Sequence, residues 1–310
     1  MESVRRWWQE LAGLVLPADC GGCGSARTVL CPQCRAALSG AAPFRVRPAP
    51  EPPGLPAVHA AARYADEVRA ALLAHKERGA LALTRPLGAA LAGAVRAGVR
   101  EAGEGVGVGE GPQPPGSLLL VPVPSARAAV RARGHDPARR IALAAAGELR
   151  RAGMPARVAA VLRQRRPVAD QSGLDSRQRL ANLVGALAVV PGGARVLGGG
   201  PVVLVDDLVT TGASLAEAAR AVRASVSTAL SPMPSMSADR EGRTRTEDRQ
   251  GQMEGGMGGE GAAAVYVGVT REGRQVKSSG VRETGVGGVA DVLCAAVVAA
   301  SPGSFEINRN

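Results

Sequence analysis

Thirteen consecutive residues constrain this chain more than any other feature. They read Val202-Val-Leu-Val-Asp206-Asp207-Leu-Val-Thr210-Thr211-Gly212-Ala213-Ser214. The apolar run Val202–Val205 predicts a strand buried on both faces, and Leu215–Arg223 predicts a helix. Strand, tight turn and helix form the repeating unit of a parallel sheet covered by helices. Two adjacent carboxylates are costly to bury, so Asp206 and Asp207 are expected in solvent at the carboxyl end of the strand, where open α/β sheets take their ligands. The loop Thr210–Ser214 then opens a helix with small side chains, hydroxyls and one glycine. Its backbone N–H groups can converge with the positive helix end into a phosphate cradle. The acids, one short turn away, can accept hydrogen bonds from vicinal hydroxyls or face Mg²⁺ through water. A phosphate beside two hydroxyls describes ribose 5-phosphate. The string has no Gly-Lys-Ser/Thr for a Walker loop and lacks the spaced glycines of a dinucleotide fingerprint.

The remaining chain of 310 residues can supply a core around this unit. Hydrophobic residues make up 45% of it, but only 2% are aromatic, so Ala, Val and Leu must fill the interior. Residues 59–100 are Ala/Leu-rich with helical spacing at Val68, Leu72 and Leu73, then Leu87, Leu91 and Val95. Residues 101–116 read as a Gly/Pro-rich loop, Ser117–Val123 as a strand, Pro137–Arg151 as a helix, Ala159–Leu162 as a short strand and Leu174–Val184 as a helix. Val289–Ala300 is the expected last strand, with Cys294 a small core residue on it. Residues 43–58 are Pro-rich and read as a linker, and residues 226–288 have the composition of a mostly disordered insert, with a marginal strand at Ala263–Thr270. The main α/β domain is therefore expected over 59–225 and 289–310.

Net charge is +11, which favours anionic partners such as phosphates or nucleic acid; the abundance of Arg, Ala and Gly together gives much of the charge a compositional origin, so charge alone is weak ground for a nucleic-acid role. Arg163, Arg165 and Arg166 read as a solvated charge run. No apolar run is long enough to cross a membrane. Arg5, Arg6, the two tryptophans beside them and Glu10 make the N-terminus a short amphipathic helix rather than a secretion signal, which points to a cytoplasmic protein.

Four of the five cysteines lie in residues 1–42 as Cys20-Gly-Gly-Cys23 and Cys31-Pro-Gln-Cys34. Two CxxC knuckles separated by seven residues suit one tetrahedral zinc ion held by four thiolates, a closed structural site. A redox pair would use only one of the two.

Several segments line up with a known family. Val121-Pro122-Val123-Pro124, then Arg133-Gly134-His135-Asp136, then Gln171, Leu174, Arg179 and Asn182, then the Asp206-Asp207 string follow the order of the ComF family, as do the doubled CxxC and the Tyr64–Lys76 stretch. The thirteen-residue string itself resembles the signature of phosphoribosyltransferases that use phosphoribosyl pyrophosphate. The resemblance implies a type I phosphoribosyltransferase-like fold and a link to competence and uptake of transforming DNA. It also implies that Asp206 and Asp207 hold the ribose hydroxyls of Mg²⁺-bound phosphoribosyl pyrophosphate, and that Thr210, Thr211, Gly212, Ala213 and Ser214 hold its 5-phosphate. Lys76, Arg131 and Arg133 are candidates for the pyrophosphate side; for Lys76, a solvated helix end is an equal alternative. His135, Gln171, Arg179 and Asn182 are motif positions, and His135 is either an acid–base group or a loop residue that only hydrogen-bonds. Two departures stand out. The chain has Arg-Gly-His-Asp-Pro where the family commonly has Arg-Gly-Phe-Asn-Gln, and it carries the insert before Val289. The expectations are an enzyme transferring the phosphoribosyl group to an unidentified acceptor, or a non-catalytic ribose-phosphate sensor or single-stranded DNA-binding factor on the same fold.

Overall fold

The computed structural model describes residues 19–105, 116–166, 168, 176–230 and 292–302. Among the described residues there are eight strands: β1 (Phe44–Val46), β2 (Val58–Arg63), β3 (Leu118–Pro122), β4 (Ala156–Val158), β5 (Leu162–Gln164), β6 (Leu187–Val189), β7 (Val202–Val209) and β8 (Val292–Ala300). The helices are α1 (Pro32–Ser39), α2 (Asp66–Glu77), α3 (Thr84–Gly105), α4 (Arg127–Arg133), α5 (Pro137–Arg151), α6 (Ser176–Leu183), α7 (Gly193–Leu197) and α8 (Ala213–Leu230). Six strands form one sheet in the order β1-β2-β8-β7-β3-β4, and β5 and β6 form a separate antiparallel pair. In the main sheet only β1 runs antiparallel to its neighbour.

The sheet is sandwiched. On one face α2, α3 and α5 cover Val203, Val205, Ala296 and Val298; on the other, α7, α8 and the small sheet cover Val202, Leu204, Ala295 and Val297. Alternate residues of the same strands thus feed two cores, as expected of a doubly covered sheet. With few aromatics, density comes from close approach. A Cβ on Gly88 of α3 would sit 2.4 Å from Ala144 Cβ of α5, and one on Gly98 would sit 2.8 Å from Cys294 Sγ of β8. Cys294 is fully buried, as its place on β8 requires.

Several elements differ from the sequence expectation. Residues 58–63 (Val-His-Ala-Ala-Ala-Arg) form β2 rather than starting a helix. Alanine prefers helix intrinsically, but here the ladder to β8, itself Ala-rich, overrides that preference. Residues 44–46, within the expected linker, form the edge strand β1, a position that tolerates flanking prolines. The single strand expected at 159–162 is replaced by β4 and β5 on either side of residues 159–161. β7 runs on to Val209 because it pairs with β8 as far as Ala300. Helix α3 extends to residue 105 and α8 to Leu230, into the segments expected to be loop and insert. Pro137–Arg151 is helical as expected, with the Asp136 carboxylate capping it by accepting from the Arg139 N–H at 3.2 Å. The N-terminal helix, the strand at 263–270 and the rest of the insert lie outside the described residues. Among the described residues no helix is long and apolar enough to cross a membrane.

Candidate functional site

The connections of the sheet create one privileged crevice. From β3 the chain moves outward to β4, whereas from the adjacent β7 it moves the opposite way to β8. Loops leaving the carboxyl ends of β3 and β7 therefore part company, and open α/β sheets bind ligands at such a switch point. A cavity of about 450 Å³ lies there. Pro124, Ser125 and Ala126 after β3, and Asp206, Asp207, Thr210 and Ser214 of β7 and its loop, contribute to its wall. Lys76 from the end of α2 and Arg133 from the end of α4 join them, and the small sheet closes one side with Gln164 and Leu187.

Asp206 and Asp207 do not project freely into solvent as expected. Both belong to β7; Asp207 is buried and Asp206 half-buried. Lys76 makes this tolerable: its Nζ lies 3.0 Å from Asp207 Oδ2. Burial alone would lower the Lys76 pKa, but the charges of Asp207 and Asp206 more than offset it and hold the ammonium above its ordinary value. Burial, and next the charge of Asp207, push the Asp206 carboxyl well above the usual range, against the pull of Lys76. The Asp206 Oδ1 also accepts from the Asp207 N–H at 2.8 Å.

The loop behind them leads into α8. Gly212 adopts φ +75°, and a Cβ there would lie 3.1 Å from Leu55 Cδ2 and 3.2 Å from Pro48 Cγ, so both conformation and space demand glycine. Ala213 begins α8, whose first N–H groups lack intrahelical partners by construction. Thr210 and Ser214 reach the cavity wall; Thr211 is half-buried.

The remaining predicted positions sort differently. Arg133 lines the cavity and pairs with Glu77 Oε1 at 3.2 Å, whereas Arg131 faces a neighbouring cavity. His135 is buried outside the cavity wall, with Nδ1 3.1 Å from the Arg133 carbonyl and Nε2 3.2 Å from the His75 carbonyl. Its ring stands edge-on to His75, itself buried and bonded through Nε2 to Thr84 Oγ1 at 3.1 Å. Burial, and then His135, bring the His75 pKa down to about 4. His135 thus ties α4 to α2 as a hydrogen-bonding loop residue. Arg179 and Asn182 sit on α6; the Arg179 Nε is buried without a hydrogen-bond partner among the described residues, and the Asn182 carbonyl accepts from Arg166 at 2.9 Å. Gln171 lies outside the described residues.

Sequence reasoning missed Glu217 and Arg220, which hold the small sheet in place. The Leu187 N–H of β6 donates to Glu217 Oε1 at 2.9 Å, Arg220 Nε donates to Glu217 Oε2 at 2.7 Å, and Arg220 Nη2 donates to the Leu187 carbonyl at 3.1 Å. The available signal was a lone acid and a base three residues on, both in the otherwise Ala-rich α8.

Cys20, Cys23, Cys31 and Cys34 form a second site. Their sulfurs lie within 4.8 Å of one another, with Cys23 Sγ 3.6 Å from Cys31 Sγ. Thiolates bound to zinc at about 2.3 Å in a tetrahedron stand about 3.8 Å apart, so the cluster could hold a metal such as zinc. Burial raises the Cys20 thiol, but N–H groups of Cys31, Cys23 and Gly22 outweigh it and bring the pKa down to about 6. Burial and the other thiols push Cys34 up. The cluster does not stand apart from the main domain. Cys20, Leu30, Cys34 and Leu38 share a buried core with α2 and α3, and a Cβ on Gly21 would strike Leu83 at 2.6 Å.

No protein-family model matches the chain, and no curated protein matches it.

Proposed function

We propose that the switch-point cavity binds the ribose 5-phosphate part of phosphoribosyl pyrophosphate, on a fold of the type I phosphoribosyltransferase kind, and that the protein transfers the phosphoribosyl group. The observation that carries this reading is the meeting of two carboxylates, a lysine, an arginine and the hydroxyl residues Thr210 and Ser214 of the helix entry in one cavity. Thr210 to Ser214 cradle the 5-phosphate with N–H groups and hydroxyls. Asp206 and Asp207 accept hydrogen bonds from the ribose hydroxyls. Lys76 and Arg133 stand where negative charge grows on departing pyrophosphate. The C1–O bond breaks with its electron pair leaving on pyrophosphate, the acceptor's lone pair forms the new bond to C1, and the acceptor's proton passes to solvent. Asp206 and Asp207 would offer oxygen donors to Mg²⁺, which would supply counter-charge to the pyrophosphate. The resemblance to the ComF family adds a role in DNA uptake. The four-cysteine cluster is a structural zinc site.

Calorimetry with ribose 5-phosphate tests the pocket. Asp206→Asn with Asp207→Asn should abolish most of the affinity while circular dichroism remains native; unchanged affinity rules the site out. Labelled phosphoribosyl pyrophosphate, offered with nucleobases and amines, separates transfer from sensing. Protein-dependent release of pyrophosphate supports an enzyme, and tight binding without turnover identifies a sensor.

A further inference from the structure

A second cavity, of about 320 Å³, adjoins the first and shares Ala126, Gln164 and Val168 with it. Its wall carries four arginines from two separate segments: Arg127 and Arg131 from α4, and Arg165 and Arg166 directly after β5. Among the described residues no carboxylate lines it. Arg166 is engaged, donating to the carbonyls of Asn182 and Val184 at 2.9 and 3.0 Å. Arg127, Arg131 and Arg165 make no ion pair among the described residues, although Arg133, Arg151 and Arg220 each have one. Guanidinium groups gathered around one concavity repel one another unless an anion sits between them, and their planar forks suit phosphate oxygens. Pyrophosphate does not require them, because Lys76 and Arg133 already line the ribose-phosphate cavity.

Building on the ribose-phosphate reading, we propose that this arginine cavity holds the phosphate of a phosphorylated small-molecule acceptor, placing its nucleophile toward the shared wall and the ribose. The enzyme would then join phosphoribose to a substrate that is itself a phosphomonoester. The sequence expectation of a solvated run at Arg163, Arg165 and Arg166 becomes, for Arg165, half of a binding wall completed by α4.

Phenyl phosphate, a phosphomonoester without ribose, serves as the probe on the full chain. With ribose 5-phosphate saturating, it should still bind, and phenol should not. Arg131→Gln with Arg165→Gln should weaken phenyl phosphate at least tenfold and change ribose 5-phosphate and phosphoribosyl pyrophosphate less than twofold. Asp206→Asn with Asp207→Asn should do the converse for ribose 5-phosphate and leave phenyl phosphate bound, so failure of either reading is visible separately. Strict competition between phenyl phosphate and ribose 5-phosphate would overturn the proposal. So would loss of phosphoribosyl pyrophosphate affinity in the arginine variant, which reassigns these residues to pyrophosphate. Displacement of phenyl phosphate by a single-stranded oligonucleotide at lower concentration than by phenyl phosphate itself would reassign the cavity to nucleic acid.

Discussion

Lys76 is the residue on which the charge of the site turns. Among the described residues it makes the ion pair with Asp207, and it sits in a cavity that must also admit phosphate. Lys76→Met would leave two carboxylates uncompensated and repel anionic ligands. Ribose 5-phosphate affinity should fall about tenfold near pH 7.5, equivalent to ~1.4 kcal/mol. It should recover in part toward pH 5.5, because the raised pKa of Asp206 lets that carboxyl protonate early. Calorimetry at the two pH values checks this, and an unchanged, pH-independent affinity would refute the assignment. Gly212 makes a conformational demand instead. At φ +75°, Gly212→Ala costs about 1–2 kcal/mol for the left-handed backbone, before any displacement of Leu55 and Pro48. A lowered melting temperature together with weakened ribose 5-phosphate binding is expected; an unaltered melting temperature would show that the loop relaxes freely. Both residues stood out in the sequence for different reasons. The glycine was legible because a phosphate loop needs one. The lysine was ambiguous, because only the packing of α2 against the end of β7 distinguishes a buried partner from a solvated helix end.

At the scale of elements, the small sheet depends on the clamp from α8. Glu217 is almost wholly buried, and burial acting alone would raise its pKa; Arg220 and the Leu187 N–H more than reverse this and hold it below the ordinary carboxylate value. A carboxylate with a depressed folded pKa contributes stability at neutral pH, and that contribution disappears as pH falls from about 4.3 through the lower folded value. Glu217→Gln should therefore unfold at a lower denaturant concentration at pH 7, and its deficit against the parent should shrink below pH 4. Glu217→Ala also orphans the Leu187 N–H, at a cost of about 1–3 kcal/mol. Hydrogen exchange at β6 should accelerate in both; unchanged protection would mean that the small sheet is held some other way. Helix α5 and strands β3 and β7 were readable from sequence because caps, prolines and apolar runs mark them locally. β2 was not, since Ala60, Ala61 and Ala62 carry helical propensity and become a strand through the short β1 and through β8, a partner more than two hundred residues away. β1, β5 and β6 have three residues each, too few for any period to register.

At the scale of the whole molecule, the cysteine cluster shares one buried core with α2 and α3. Because Cys34 and Leu38 are buried with α2 and α3, stripping bound metal should lower the melting temperature of the entire domain and not only release residues 19–40. Elemental analysis should find about one zinc per chain. Four disulfide-paired cysteines without zinc, or a core melting unaffected by chelator, would contradict this. The doubled CxxC was fully legible; its embedding was not, because apolar side chains such as Leu30 do not say against what they pack. The position of β8 also bears on how the protein is made. This strand lies between β2 and β7, yet it begins only at Val292, after residues 231–291 have left the ribosome. Until then β2 and β7 each present an unpaired edge, the kind of surface that recruits other nascent chains. Sixty-odd residues at about 5–20 residues per second prolong that exposure by several seconds. A ribosome stalled anywhere in that stretch would display a nearly finished domain with a slot down its middle. Chaperone occupancy is thus expected to peak late in synthesis, and to fall once β8 fills the slot.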